Sequence, residues 1–120
     1  MAASFDFVRR KAMTWPDVVE GVCYGTPAFY VRKKMMLRLR EDHETLVIKI
    51  PKERRTDLIA DNPDDFFVTD HYLNYPLVLA NLHAIRPQAL EEMIELSWRQ
   101  VAGKKQLAAL AARKSKTARK

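Results

Sequence analysis

The sequence predicts a single α+β domain, in which one antiparallel sheet of about five strands is covered on one face by N- and C-terminal helices, in the order α-β-β-β-α-β-β-α. Short extended segments follow one another between Tyr24 and Pro51, and both ends of the chain show apolar residues at helical spacing. The 120 residues suffice for one core, and the single cysteine excludes an intramolecular disulfide. We therefore expect one domain that is stable in a reducing compartment.

The first helix is predicted to begin after Ser4, a favourable N-cap, because Val8 and Ala12 recur at helical spacing. Pro16 disfavours helical geometry at the residue before it and ends the run. The segment Asp17–Gly21 is expected to add one further helical turn before the first strand.

The stretch from Tyr24 to Pro51 predicts a three-stranded meander, because it is broken at residues 32–34 and again at residues 41–44. Residues in its second and third strands alternate between two faces. The apolar face is predicted to hold Met35, Leu37, Leu39, Leu46, Ile48 and Ile50. The face left in water is predicted to hold Met36, Arg38, Arg40, Thr45, Val47 and Lys49.

The second half of the chain predicts a short helix and two more strands. Pro51 suits the first position of a helix that Asn62-Pro63 ends. Residues 66–69 are predicted to form the fourth strand and residues 77–82 the fifth, which is largely apolar and therefore buried.

The last clear helix is predicted to begin at Pro87, with an inward stripe formed by Leu90, Met93, Ile94, Ser97, Trp98 and Val101. Trp15 and Trp98 are expected to be core anchors that pack the terminal helices side by side. Gly103 is a natural stop. It divides a domain of residues 1–102 from a basic, Ala/Lys-rich extension, residues 103–120, that is partly helical or disordered.

The net charge of +6 comes from this extension. Seven of the 21 basic residues follow Gly103, where there is no acidic residue, so the remaining 14 basic and 15 acidic residues give the body a net charge of −1. The tail is expected either to contact a polyanion with little sequence preference or to act only as a solubilising terminus.

The beginning of the chain does not resemble a targeting segment. It places Arg9, Arg10 and Lys11 close to two aromatic residues and never builds an apolar run, so we expect that it is not a signal peptide. No later run is long enough to cross a bilayer. We expect a cytoplasmic monomer that does not bind membranes.

Five segments, in their order and spacing, resemble the MmcQ/YjbR family: Pro16-Asp17-Val18, residues 24–31, residues 34–39, residues 71–79 and residues 97–102. The most specific are G-x-P-x-F, which begins at Gly25, and H-Y-x-x-Y-P-x-V-L, which begins at His71. The likeness covers roughly residues 5 to 110. It implies a fold similar to that of the bacterial frataxin homologue CyaY and a DNA-binding function through a double-wing arrangement of the sheet.

The first functional hypothesis is non-enzymatic DNA binding, mostly through phosphate contacts. The residues expected to make these contacts are Arg32, Lys33, Lys34, Arg38, Arg40, Lys49, Lys104 and Lys105. A hairpin can present several cations within one groove. Alternatively, the same lysines discourage the pairing of exposed strand edges, and Glu41, Asp42 and Glu44 at the next turn repel a phosphate backbone.

The second hypothesis is a module that binds a protein partner or a small anionic ligand, through the exposed sheet face and the loop that holds His71, Tyr72, Asn74 and Tyr75. Such groups can bind a phosphate or a carboxylate, or they can cap a strand end and bond to their own loop. A pocket, if one forms, is expected near Tyr24 and Phe29.

No catalytic residue, metal site or cofactor is predicted. The three histidines lack the spacing and flanking carboxylates of a zinc site, and with three glycines the chain has little room for a phosphate-cradling loop. Cys23 stands among apolar neighbours and is expected to be a buried, inert thiol.

Overall fold

The computed structural model describes the backbone of residues 4–118 and the side chains of residues 4–113. The helices are α1 (Phe5–Ala12), α2 (Lys52–Asp61), α3 (Pro87–Val101) and α4 (Lys104–Ala118). The strands are β1 (Val19–Cys23), β2 (Thr26–Val31), β3 (Lys34–Leu39), β4 (Thr45–Lys49), β5 (Phe66–Phe67) and β6 (Leu77–Asn81). None of the helices in this range combines the length and apolarity that crossing a membrane requires.

The six strands form one antiparallel sheet in the order β1-β2-β3-β4-β6-β5, which confirms the predicted α+β class. The sheet has one strand more than expected. The predicted helical turn over Asp17–Gly21 is wrong, because Asp17 adopts a φ of 61° that redirects the chain into the edge strand β1. Val19 and Val22 suit a strand, and pairing with β2 satisfies the backbone groups that a helical turn would leave exposed.

A bulge in β3 changes which residues face the core. The pairing of β2 with β3 shifts after Phe29, so Met36 is an extra residue in its strand. Met36 is fully buried in the core, whereas Met35 lies on the opposite face, so the predicted alternation is wrong at these two positions. The hydroxyl of buried Ser97 on α3 donates to the Met36 carbonyl at 2.7 Å and holds the bulge in place.

The core lies between one face of the sheet and the helices α1 and α3. Leu37 and Ile48 are fully buried there, as predicted. The rings of Trp15 and Trp98 lie 5.2 Å apart, which confirms that the tryptophans pack the terminal helices together. The Trp98 indole N–H also donates to the carbonyl of Pro16 at 2.9 Å, so its one polar group is satisfied in the core.

The connection between β5 and β6 departs furthest from the sheet. β5 contains only two residues, fewer than the predicted 66–69, and β6 ends at Asn81, one residue before the predicted end. Between the strands the chain makes a single 3-10 turn, Asp70–Tyr72. The segment of residues 70–76, which we call the covering loop, passes over the sheet face opposite α1 and α3.

Helix α4 is docked on the domain by its first turns. The side-chain amide of Gln106 donates to the Asp17 carboxylate at 2.9 Å, and its oxygen accepts the backbone N–H of Gly103 at the same distance. Gln106 is 6% exposed, and Leu110 packs against the core cluster. The basic extension therefore begins as an ordered helix.

Candidate functional site

A cleft of about 660 Å³ opens on the sheet face opposite α1 and α3, which we call the outer face. Three of the residues predicted for a ligand site line it, namely His71, Tyr72 and Tyr75. The rest of the lining is formed by Cys23, Tyr24, Met35, Arg38, Arg40, Glu41, Val47 and Leu77. This volume lies within the range of about 300–1,000 Å³ that is usual for small-molecule sites.

A row of paired residues crosses four strands on the outer face, and two of its members, Arg38 and Val47, line the cleft. The row consists of Ala28, Arg38, Val47 and Leu79. Each is at most 6% exposed, although the row lies opposite the main helices. The prediction that Arg38 lies in water is therefore wrong. Tyr24 and the covering loop shield the guanidinium, and a carboxylate pairs with it, so that it can leave bulk water.

The covering loop is held in place by Arg55 of α2, which is 7% exposed. Its Nη1 donates to the carbonyls of Tyr75 and Leu77 at 2.9 and 3.1 Å and lies 3.4 Å from that of Tyr72. Its Nη2 donates to the carbonyl of Leu73 at 2.6 Å. One buried cation thus contacts three carbonyls of the covering loop and the first carbonyl of β6. It anchors the loop, a role that was predicted for His71 and the tyrosines.

Arg38 presents its guanidinium to the polar end of the cleft. Nη1 donates to the Glu41 carboxylate at 2.9 Å, and Nη2 lies 3.5 Å from the Tyr72 hydroxyl. The Cζ atom lies 5.2 Å from the centre of the Tyr24 ring, within the range of a cation–π contact. One aromatic ring, one hydroxyl and one carboxylate therefore orient this cation.

A second cation and an imidazole flank the Tyr72 ring. The Cζ atom of Arg40 lies 5.7 Å from the centre of that ring. The His71 ring meets it edge-on, with 4.8 Å between the centres. His71 is exposed and Arg40 is half-buried, so both can meet a ligand that enters from solvent.

The ion pair at the polar end is charged at neutral pH. The hydrogen bond from Arg38 holds the pKa of Glu41 below its usual value. Burial opposes the charge of Arg38, but the hydrogen bond to Glu41 and the nearby Tyr72 outweigh it, so the pKa of Arg38 is raised. An incoming anion would compete with Glu41 for a guanidinium that is already oriented.

The turn after Glu41 is rigid because the Asp42 carboxylate accepts three hydrogen bonds. The backbone N–H groups of Glu44 and Thr45 donate at 2.9 Å, and the Thr45 hydroxyl donates at 2.7 Å. Although partial burial acts in the opposite direction, these bonds lower the pKa of Asp42 to about 2. The turn thereby fixes the position from which Glu41 reaches Arg38.

The cleft continues into a smaller apolar extension of about 210 Å³, which we call the annex. The two share Met35, Val47, Tyr75 and Leu77, and the annex adds Lys49 and Pro76. The bulge at Met36 adds Met35 to this lining, because it turns Met35 toward the outer face. The site therefore has a polar end and an apolar end.

The other residues predicted near this site fall in different places. Asn74 is exposed at the tip of the covering loop and is not part of the cleft lining, and Phe29 is buried in the core. Cys23 is half-buried and lines the cleft, so the prediction of a buried thiol is wrong. Arg55 was missed. Its signal was helical spacing, because Arg55 precedes the half-buried Leu58 and Ile59 of α2 by three and four residues and therefore lies on the same inward face.

The predicted DNA-contacting residues separate into two groups. Arg32, Lys33 and Lys34 are exposed at the turn between β2 and β3. Arg38 and Arg40 instead line the cleft, and Lys49 is half-buried beside the annex. The basic sheet edge from residue 32 to residue 40 is therefore not one continuous exposed surface.

The turn between β2 and β3 meets the beginning of α4. The Arg32 guanidinium lies so close to Gly103 that a Cβ at that position would stand 2.9 Å from Nη1. Lys104 and Lys105 follow directly and are exposed. The fold thus gathers two cation groups that are 70 residues apart in the sequence into one surface, which we call the basic patch (residues 32–34, 104 and 105). The tail cations from Lys114 onward lie outside the described side chains.

Comparison with known proteins gives a family and a fold. A family model described as YjbR matches residues 13–100. Over 41 residues the chain is 46% identical to the uncharacterized proteins Mb2600 of Mycobacterium bovis and Rv2570 of Mycobacterium tuberculosis, and this match spans 34% of the chain but only 32% of each relative. The crystal structure of Deinococcus radiodurans protein DR2400, a DUF419 domain, superposes with a TM-score of 0.71 at 21% identity, and the match covers 92% of this chain and 89% of that one. The structural likeness at this identity concerns the fold alone.

Proposed function

We propose that this chain, which belongs to the YjbR family, is a non-enzymatic, cytoplasmic binding protein that holds a small anionic ligand in the cleft on its outer face. The observation that carries the proposal is the buried guanidinium of Arg38 at the end of an open cleft. A cation is costly to remove from water and is stabilised there only by well-placed partners. Such an oriented cation suits the recognition of a carboxylate or a phosphate.

The surroundings of Arg38 support the same function. Arg40 adds a second guanidinium at the cleft wall, and Tyr72 and His71 offer groups that can bond to an anion. Their positions depend on a loop that Arg55 anchors, so the site is preorganised before any ligand arrives.

The absence of an enzymatic role is part of the proposal. Cys23 is the strongest nucleophile in the cleft lining, and among the described residues no histidine is hydrogen-bonded to it as a base; His71 instead packs on Tyr72. We therefore propose no catalytic residue, no metal and no cofactor. A panel of activated esters and phosphate esters tests this, because turnover abolished by Cys23→Ser would contradict it.

The ligand-binding proposal is tested by melting the full chain in the presence of small carboxylates and phosphates, since a ligand specific to the folded state raises the midpoint. Arg40→Met, which removes one of the two guanidinium groups, is expected to weaken binding about tenfold. Arg54→Met is the matched control, because it removes an exposed arginine of α2 outside the cleft lining. Equal binding by both variants and the parent chain would place the ligand elsewhere.

DNA binding is a second candidate, and one observation favours it: the fold gathers the turn cations and the start of α4 into the basic patch. Binding there would be dominated by phosphate contacts and would have a steep salt dependence. The patch consists of one arginine and four lysines on a turn and a helix start, an arrangement suited to phosphate contacts, so we propose only weak sequence preference.

The backbone of the turn between β2 and β3 provides a test of DNA binding, because Arg32 and Lys33 both adopt positive φ, 55° and 66°. An Asn-Gly pair is the preferred sequence for this geometry, so the double variant Arg32→Asn/Lys33→Gly removes two cations while favouring the hairpin. If the patch binds DNA, the variant melts no lower than the parent but its salt slope falls by about 2. A double variant of two exposed cations on α2, Lys52→Gln/Arg54→Gln, is the control. An unchanged slope in the turn variant would reject the patch.

We further propose that the chain is a monomer, with a protein partner on the outer face as the alternative to a small ligand. Light scattering at micromolar concentration tests the first point. A mass of twice 13.9 kDa would overturn it.

A further inference from the structure

The charge balance of the cleft limits what it can hold. Arg38 and Arg40 contribute two positive charges to the lining, and Glu41 contributes one negative charge. The difference is one positive charge, apart from His71. Proteins usually hold phosphate chains with several cations or with a glycine-rich loop at a helix N-terminus. The balance at this polar end is suited to a ligand that places a single anionic group there. Lys49 lies in the annex, away from this group of charges.

The aromatic residues of the cleft point to a flat ligand. Tyr24 is 79% exposed and Tyr75 is 55% exposed, although both line the cleft. An exposed ring beside an oriented cation is a surface on which another ring can stack. A flat ligand that stacks there would bury part of these exposed faces.

The backbone at Tyr24 supports this role independently. Tyr24 and Gly25 form the turn between β1 and β2, with φ values of 52° and 80°. Glycine adopts this geometry freely, but a tyrosine there is strained, and the position favours asparagine. Strain of this kind is a reason to look for function. The position carries the ring that lies over Arg38 at the mouth of the cleft.

The annex offers space for an apolar part of the ligand, which we call its body, beyond the anionic group, which we call its head. Its walls are Met35, Val47, Tyr75, Pro76 and Leu77, and Lys49 is the only charged residue among its lining residues. The annex is continuous with the polar end, because four residues line both. A ligand with an anionic head at Arg38 can therefore place an apolar body here.

We infer that the cleft binds an aromatic monocarboxylate, with its carboxylate between Arg38 and Arg40, its ring against Tyr24, and its apolar edge in the annex. The inference rests on the proposed ligand-binding function and names the ligand class for the same site. Head, ring and body each follow from a different observation: the charge balance, the strained aromatic residue and the apolar extension.

Calorimetry on the full chain with four probes tests the inference. The probes are 2-naphthoate, its neutral analogue 2-naphthylmethanol, acetate and inorganic pyrophosphate. We expect 2-naphthoate to bind at least tenfold more tightly than each of the others, because only it combines one carboxylate with a fused ring. The inference is overturned if the alcohol or acetate binds more tightly than 2-naphthoate. The first result would show that no carboxylate is required, and the second would show that no ring is required.

Substitution of Tyr24 separates ligand stacking from folding. Tyr24→Asn relieves the backbone strain, so it should melt no lower than the parent, and it should weaken 2-naphthoate about three- to tenfold. Tyr24→Phe keeps the ring and should retain most of the affinity. If both variants bind as the parent does, the ring does not contact the ligand and the inference fails.

Failure of the inference can be distinguished from failure of the proposed function. If pyrophosphate binds more tightly than 2-naphthoate and Arg40→Met abolishes that binding, the cleft is an anion site but the ligand class is wrong. If no probe shows binding that depends on Arg40, the inference and the proposed function are both overturned.

Discussion

Arg55 provides the sharpest test of how the cleft is built. Arg55→Met keeps the length and apolar stem of the side chain but removes the donors to the covering loop. The three shortest bonds, to the carbonyls of Leu73, Tyr75 and Leu77, measure 2.6, 2.9 and 3.1 Å. The variant should therefore release the loop from α2.

The size of the effect follows from the charge on the donor and from where the loop lies. A hydrogen bond to a charged group contributes about 1.5–3 kcal/mol, but the released carbonyls can turn to water because the loop tip is exposed. We expect a total loss of about 3–4 kcal/mol in the free energy of unfolding. For a domain of this size the midpoint of thermal unfolding should fall by roughly 10–16 °C.

Circular dichroism melts and amide hydrogen exchange measure the two consequences separately. The amides of Tyr75 and Leu77, which bond within the loop, should exchange faster at temperatures where the domain remains folded. Arg55→Lys should lie between the parent and Arg55→Met, because an ammonium lacks the planar fork. Arg54→Met should change little. A midpoint within about 2 °C of the parent for Arg55→Met would refute the idea that this residue anchors the loop.

Three further predictions concern the turn, the ion pair and the bulge. Asp42→Ala should lower the free energy of unfolding by about 1–2 kcal/mol at neutral pH. Because the folded-state pKa of Asp42 is depressed from 3.8 to about 2, this stabilisation is present above about pH 4 and is lost as the pH falls through 2. Unfolding measured across this range would contradict the prediction if the variant were destabilised as much at pH 2 as at pH 7. Glu41→Gln should increase carboxylate affinity roughly two- to fivefold in calorimetry, because it frees Arg38 from its carboxylate, and weaker binding would show that Glu41 assists the ligand. Ser97→Ala should cost about 1–3 kcal/mol in denaturant unfolding, because the buried carbonyl of Met36 loses its partner, whereas a neutral result would mean that water replaces the hydroxyl.

The meander and the terminal helices could be predicted because their information is local. Alternation placed Leu37 and Ile48 in the core, and Pro51 and Pro87 marked helix starts within a residue of where they occur. The resemblance to the MmcQ/YjbR family agreed with the family match over residues 13–100. Strand alternation and helix starts depend on residues that are adjacent in the chain, so the sequence alone contains the information that determines them.

The errors fall where a distant partner decides the outcome. Nothing near Met36 in the sequence signals a bulge; it depends on the register with β2 and on Ser97, which is 61 residues away. Asp17–Gly21 became a turn and strand because an open sheet edge was available to pair with it. The propensity of a short segment cannot include its contacts with strands and helices that are distant in the sequence.

For the candidate site, too, some features follow from the sequence and others only from the tertiary structure. The sequence by itself determined that the block from His71 to Tyr75 concentrates polar groups and that the body carries almost no net charge. Only the tertiary structure decided that Arg38 is buried, that Arg55 holds the covering loop, and that Arg32 meets Gly103. The sequence around Arg38 does not show whether its side chain is exposed to water or buried beside aromatic residues. The cost of moving its charge out of water is offset by partners that folding alone brings within bonding distance.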